Sequence, residues 1–215
     1  MPSTLLHGYF RSSAAFRVRI ALNYKKIAYE QAFRHLRKGE QRAPEFLKLN
    51  AQGLVPALEI DGHALTQSLA IIEYLEETRP EPALLPKDPV GRARARSLAY
   101  ACAIEIHPIN NLRVLQDIEK RFGADAAAVK GWFQHWVIET FGPIEKRLAS
   151  ETGTGTFCHG NTPTLADLCL VPQVVNNTRF DVDMTPYPNI NRIYKACLEL
   201  PAFADAMPMK QPDAE

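Results

Sequence analysis

Prolines at 80, 82, 86 and 89 divide this chain into a part that can form strands and a part that reads as helix alone. Proline fixes φ and removes a backbone donor, so PEPALLPKDPVG at 80–91 reads as a semi-rigid connector and a domain boundary. Ahead of it, TLLHGY at 4–9 and IAYEQAF at 27–33 are strand candidates. LVPALEIDGHALTQS at 54–68 holds two short apolar runs around Asp61-Gly62, a strong local hairpin signal. Helices are expected from the turn at 11–13, in a short piece at 45–49, and after Ser68. In the last of these Ile71, Ile72 and Leu75 share a face and Pro80 ends the run. The expected order is β-α-β-α-β-β-α, with a first domain at 1–84.

Beyond the prolines the strand signals stop, and 91–215 is expected to be an all-helical domain. Residues 92–122 read as one long helix kinked at HPIN (107–110), and 124–150 as a second with a possible interruption at Gly142-Pro143. A polar stretch, ETGTGTFCHGN, precedes a third helix near Leu165, whose start is marked by Thr164 and Asp167 in capping-box spacing. A last helix is expected at 189–200, with a poorly ordered tail after Pro208.

Composition narrows the class. Lys and Arg number 25 against 24 Asp and Glu, a formal net charge of +1, so nothing points to nucleic acid or another polyanion. No apolar run approaches the ~20 residues of a membrane span. MPSTLLHGYF lacks the basic region and apolar core of a secretory signal, so a cytoplasmic location is expected. Cys102, Cys158, Cys169 and Cys197 form no CxxC pair and read as reduced, buried, small apolar groups. The histidines show no ligand spacing, so no metal is assigned.

The stretch that carries chemistry is GYFRSSAAFRVRIAL at 8–22. A strand end passes through Arg11, Ser12 and Ser13 into a helix with apolar residues at 14, 15, 18, 21 and 22, while Arg17 and Arg19 fall on the other face. A hydroxyl at this place can cap the helix or donate to a bound anion such as a thiolate. Capping is the commoner role for such a serine, and one of the two can serve each purpose.

SSAAFRVRIAL closely resembles the SSCxWRVRIAL signature of the zeta-class glutathione transferases, the class of maleylacetoacetate isomerase and bacterial maleylpyruvate isomerase. QGLVPAL around Pro56, TQSLAIIEYLEETRP at 66–80, PTLADLCLVPQV at 163–174, HPINN at 107–111 and RFDVDMTPYP at 179–188 extend the resemblance over nearly the whole chain. HPINN with RFGADAAAV looks especially like the bacterial maleylpyruvate branch. The sequence departs from the signature at Ala14, where the family usually has cysteine, and at Phe16, where it has tryptophan.

The resemblance implies an α/β thioredoxin-like domain followed by an all-α domain, glutathione as cofactor, a homodimer, and cis–trans isomerisation of a maleyl keto acid in aromatic-compound catabolism. A thiolate adds to the activated double bond, the bond rotates, and elimination returns the thiolate without net redox change. A free thiol has a pKa near ~8.5, so a hydroxyl donor and a helix N-terminus that lower it by about two units make the thiolate dominant at neutral pH. With Ala14 in the motif, the reactive sulfur must arrive with glutathione. Ser12 is the first candidate donor and Ser13 the second.

The same resemblance places Val55, before a cis Pro56, against the cysteinyl backbone of glutathione, and Gln67 and Ser68 on its γ-glutamyl carboxylate. Gln52 and His35 are weaker candidates for the glycyl end. His107 and Asn111, one helical turn apart, could reach the cofactor, although a helical histidine is more often structural. The substrate carboxylates call for planar cations, and Arg11, Arg179 and, more loosely, Arg113 are the candidates. Two other readings stay open: conjugation or dehalogenation of small electrophilic acids, and a non-enzymatic binding protein on the same fold.

Overall fold

The computed structural model describes residues 4–215. Residues 1–3, which open the expected first domain and the stretch read for a secretory signal, lie outside the described residues. The chain divides into two compact units, one of residues 1–84 with 198–215, the other of residues 85–197.

The first unit follows the expected order: β1 (Leu5–Gly8), α1 (Ser13–Tyr24), β2 (Glu30–Phe33), α2 (Pro44–Leu49), β3 (Ala57–Ile60), β4 (His63–Thr66) and α3 (Ser68–Thr78). Its four strands lie in the order β2-β1-β3-β4. β1 and β2 are parallel, with Leu6 opposite Gln31, while β3 runs antiparallel to both β1 and β4. Asp61 and Gly62 both take positive φ, 51° and 79°, the backbone that a tight hairpin between β3 and β4 requires. Leu6, Leu58 and Ile60 from the sheet and Ala15, Val18, Leu22, Ile71, Ile72 and Leu75 from the helices are buried. Removing that apolar surface from water is what holds the layers together.

Two expectations fail here. Arg17 and Arg19 are 2% and 1% exposed and rank among the largest fully buried side chains, whereas the helical period puts them on a solvent face. α1 is enclosed on more than one side: α3 packs on it, and so does α9 (Pro201–Ala204), a short helix from the far end of the chain. Arg19 is accommodated because its Nε donates to the Ala206 carbonyl at 3.1 Å and its Nη2 to that of Phe10 at 3.1 Å, above the Phe16 ring. Burial still lowers its pKa to about 10.

The tail after Pro208 is not loose. The buried Gln211 donates to the carbonyls of Asp205 and Met207, and the Phe10 N–H donates to Asp213 Oδ2 at 2.9 Å. Glu215 pairs with His35 Nε2 at 2.8 Å. Those partners lie up to 203 residues away in the chain, beyond the reach of any local pattern.

The second unit is helical throughout its described elements. α4 (Pro89–Tyr100) starts at Asp88, whose Oδ1 accepts from the Gly91 N–H at 2.7 Å. It runs into a π-helical segment, Ala101–Ile106, and the chain then turns at 107–110 before α5 (Leu112–Phe122). The long helix expected at 92–122 is therefore two helices, and the HPIN stretch is a full break. α6 (Ala126–Ser150) instead passes unbroken through Pro143. α7 (Leu165–Thr178) has the expected capping box, and α8 (Pro188–Leu198) follows. Cys102, Cys158, Cys169 and Cys197 are all buried, and none of the four is in a disulfide.

Candidate functional site

The N-terminus of α1 is built as a turn that presents donors. The Ser12 N–H bonds the Tyr9 carbonyl at 2.9 Å, which closes the turn, and the Ser12 carbonyl receives the Phe16 N–H at 2.8 Å, which starts the helix. Ser12 is the N-cap, at φ −70° and ψ 111°, and its Oγ accepts from the Ala15 N–H at 3.2 Å. An oxygen used as acceptor still carries its one hydrogen, so the same hydroxyl caps the helix and can donate outward. Ser13, the first residue of α1, is buried, and so is Ala14 at the position of the signature cysteine.

Arg11 precedes Ser12 on the turn, with its guanidinium 4.7 Å from the Phe10 ring centre and its Nη2 donating to the main-chain oxygen of Glu215 at 3.1 Å. His35 lies nearby: its ring is 5.0 Å from that of Tyr9, its Nδ1 accepts from the Lys38 N–H, and its Nε2 meets Glu215. The His35 contact pulls the Glu215 carboxyl below its ordinary pKa, while burial raises that of the Tyr9 hydroxyl, which has no hydrogen-bond partner.

The Val55-Pro56 bond is cis, as the resemblance implied. Among the described residues the Val55 N–H and C=O enter no backbone hydrogen bond, a pattern suited to pairing with an extended peptide. Gln67 sits at φ +67°, an uncommon conformation for a residue with a Cβ, and its Nε2 donates to Gln52 Oε1 at 2.8 Å. Gln52 therefore touches Gln67 directly. Ser68 follows as the first residue of α3, where the leading N–H groups have no intrahelical acceptor. Its Oγ accepts from Arg17 Nη1 at 3.3 Å.

These features suit a tripeptide thiol: a hydroxyl at a helix N-terminus, an unpaired backbone edge, and a second helix N-terminus with a hydroxyl for a carboxylate. Arg17 is the site residue that sequence reasoning missed. A helical-wheel reading assigns every charge in an amphipathic helix to solvent, and only the packing of the folded unit reveals the exception.

In the second unit, His107 follows the π-helical segment and Asn111 caps α5, with Asn111 Nδ2 3.5 Å from His107 Nε2. They meet across a turn and not along one helical face. Arg113, on the first turn of α5, is exposed. Arg179 is the C-cap of α7, exposed, with Nη1 donating to Asn176 Oδ1 at 3.1 Å and the guanidinium 5.7 Å from the Phe180 ring centre.

Residues 1–77 match the family profile of the glutathione S-transferase N-terminal domain. The chain is 48% identical over 217 residues to a probable maleylacetoacetate isomerase of Vibrio cholerae, covering 100% of both proteins. It is 49% identical to a maleylpyruvate isomerase of a Ralstonia species, over 97% of this chain and 99% of that one. The chain belongs to the zeta-class glutathione transferase family of maleylacetoacetate and maleylpyruvate isomerases. Among solved zeta-class structures, a holo maleylpyruvate isomerase superimposes with a TM-score of 0.96 at 48% identity, over 98% of this chain and 100% of that one. A maleylacetoacetate isomerase of Methylobacterium extorquens AM1, crystallised with malonate and glutathione, gives 0.95 at 46% identity, over 98% and 99%. The zeta-class fold thus combines a four-stranded thioredoxin-like unit with a helical one, as the resemblance led us to expect.

Proposed function

We propose that this protein is a glutathione-dependent cis–trans isomerase that converts a maleyl keto acid, maleylacetoacetate or maleylpyruvate, to its fumaryl isomer. The observation that carries the proposal is Ser12: its Oγ accepts from the Ala15 N–H at 3.2 Å at the start of α1, which leaves its hydrogen for a second acceptor. Bound glutathione supplies a nucleophilic thiolate that adds to the double bond, lets the resulting single bond rotate, and is returned unchanged when elimination restores the alkene in the trans form. Ser12 donates to the sulfur and, with the α1 N-terminus, favours its anion. The buried Ser13 takes a supporting place beside it. Val55 pairs through its main chain with the cysteinyl unit, Gln67 and Ser68 take the γ-glutamyl carboxylate, and Gln52 and His35 lie towards the glycyl end.

His107 and Asn111 are assigned to the cofactor, and Arg11, Arg179 and Arg113 to the substrate carboxylates. Such cations also favour the enolate that forms when a thiolate adds to an alkene conjugated with a carbonyl. The oligomer is taken as a homodimer and the location as the cytoplasm. Among the described residues no helix is long and apolar enough to cross a membrane.

The test is a rate comparison with purified protein. Isomerisation of maleylpyruvate and maleylacetoacetate that requires glutathione, with the faster substrate naming the natural one, is the expected result. Negligible isomerisation beside fast dehalogenation of a haloacetate would replace isomerisation by conjugation chemistry. Failure to bind glutathione at millimolar concentration would reduce the protein to a binding module.

A further inference from the structure

Three cations of the first unit are buried, and two of them are matched. Arg19 has two backbone carbonyls, and Lys25 has the Glu76 carboxylate at 2.8 Å together with the carbonyls of Arg79 and Pro82. Arg17 is different. It is 2% exposed, its Nη1 donates to Ser68 Oγ at 3.3 Å, and its Nε and Nη2 are buried with no hydrogen-bond partner. No carboxylate among the described residues pairs with it. Buried guanidinium groups ordinarily have their donors used and their charge answered, because leaving either undone is strongly unfavourable. The folded unit therefore holds an unanswered positive charge behind the first residue of α3.

We propose that Arg17 is a positioning residue for a carboxylate bound at the N-terminus of α3, acting through Ser68. A serine hydroxyl has one hydrogen to donate. With its oxygen engaged by Arg17 from behind, the Ser68 hydrogen is directed away from α1, towards the space in front of the helix start. There the leading N–H groups of α3 also lack intrahelical acceptors, and Gln67, held at positive φ, turns its side chain aside to Gln52. A carboxylate in that place receives the Ser68 hydroxyl and the helix N–H groups, and it supplies the counter-charge that Arg17 lacks. On the function proposed above, on which this inference rests, that carboxylate is the α-carboxylate of the γ-glutamyl residue of glutathione. Arg17 itself need not touch it: its charge is felt across one hydroxyl.

The experiment compares glutathione with an analogue whose γ-glutamyl residue is replaced by 4-aminobutyryl, which keeps the amine and lacks only the α-carboxylate. Binding is measured by calorimetry on the full-length wild type and on Arg17→Met, Arg17→Lys and Ser68→Ala. Loss of the carboxylate is expected to weaken wild-type binding by about tenfold or more. Arg17→Met is expected to weaken glutathione about fivefold while leaving the analogue within about twofold, so that the two losses fail to add. Its ligand-free thermal midpoint is expected at or above that of the wild type, because an unanswered buried charge is gone. Arg17→Lys, which keeps the charge, is expected to lose less glutathione affinity than Arg17→Met, and it decides the matter should the methionine variant not fold. Equal weakening of both ligands by the substitution, or unfolding of both Arg17 variants, would overturn the assignment. Equal binding of glutathione and analogue by the wild type would overturn it as well. A wild type that binds neither ligand would refute the parent proposal instead.

Discussion

Ser12 Oγ lies 3.2 Å from the Ala15 N–H that it caps, so the atom that starts α1 is also the atom nominated to hold the thiolate. Capping and catalysis are not alternatives here. Accepting one bond from the helix orients the hydroxyl, and the hydrogen that remains is the one the sulfur needs.

Ser12→Ala is accordingly expected to do two things at once. It removes a cap, which costs about 1 kcal/mol of stability, and it removes a donor to a developing anion, which lowers turnover by about a hundredfold. Ser13→Ala is expected to leave turnover much nearer the wild-type value. Steady-state rates with a maleyl keto acid distinguish the two, and equal losses would overturn the assignment.

Asp167 gives the clearest stability prediction. It is fully buried, and its carboxylate accepts from the Cys158 N–H at 2.8 Å and from the Thr164 N–H at 2.8 Å and hydroxyl at 3.0 Å. Asp167→Ala strands two buried N–H groups and is expected to destabilise the protein by about 3 kcal/mol or more. Thermal melts of wild type and variant measure it.

The contrast between what the sequence revealed and what it hid follows from range. The hairpin at Asp61-Gly62 and the box from Thr164 to Asp167 are local devices, readable because partner and signal lie within a few residues. The zeta-class signature carried the fold and the cofactor. The burial of Arg17 and Arg19 depends on α3 and α9 closing over α1, and the order of the tail depends on Phe10 and His35, contacts spanning 51 to 203 residues. Proline was misjudged in opposite directions. α6 absorbs Pro143, while the stretch around Pro108 becomes a full break, because packing and not propensity decides whether a helix tolerates the lost donor.

The tail should respond to acid. Its hydrogen bond with His35 lowers the Glu215 pKa on folding. A depressed carboxylate contributes stability that is present above its unfolded pKa and lost as pH falls through the folded one. Docking of 211–215 is thus expected to weaken at acid pH, and Asp213→Ala to weaken it at neutral pH. The readout is hydrogen exchange at the Phe10 amide, whose acceptor is Asp213: protection should fall in both cases.

Arg179 and Arg113 differ in their surroundings. Arg179 is braced by Asn176 and stands over Phe180, whereas Arg113 is an exposed residue on the first turn of α5. Bracing holds a guanidinium ready for a carboxylate at less entropic cost. Arg179→Met is expected to raise KM for the keto acid about tenfold or more, and Arg113→Met by a smaller factor. Substrate saturation curves at fixed glutathione test the order.

Ser12 is proposed to hold the sulfur of glutathione as its anion, and the pKa of the bound thiol reports on that directly. Ultraviolet absorbance of the thiolate, followed against pH for the glutathione complexes of wild type and Ser12→Ala, gives that pKa. A wild-type value about two units below the ~8.5 of a free thiol is expected, returning most of the way in Ser12→Ala. An undisplaced wild-type value, or a lowered one that Ser12→Ala leaves unchanged, would contradict it.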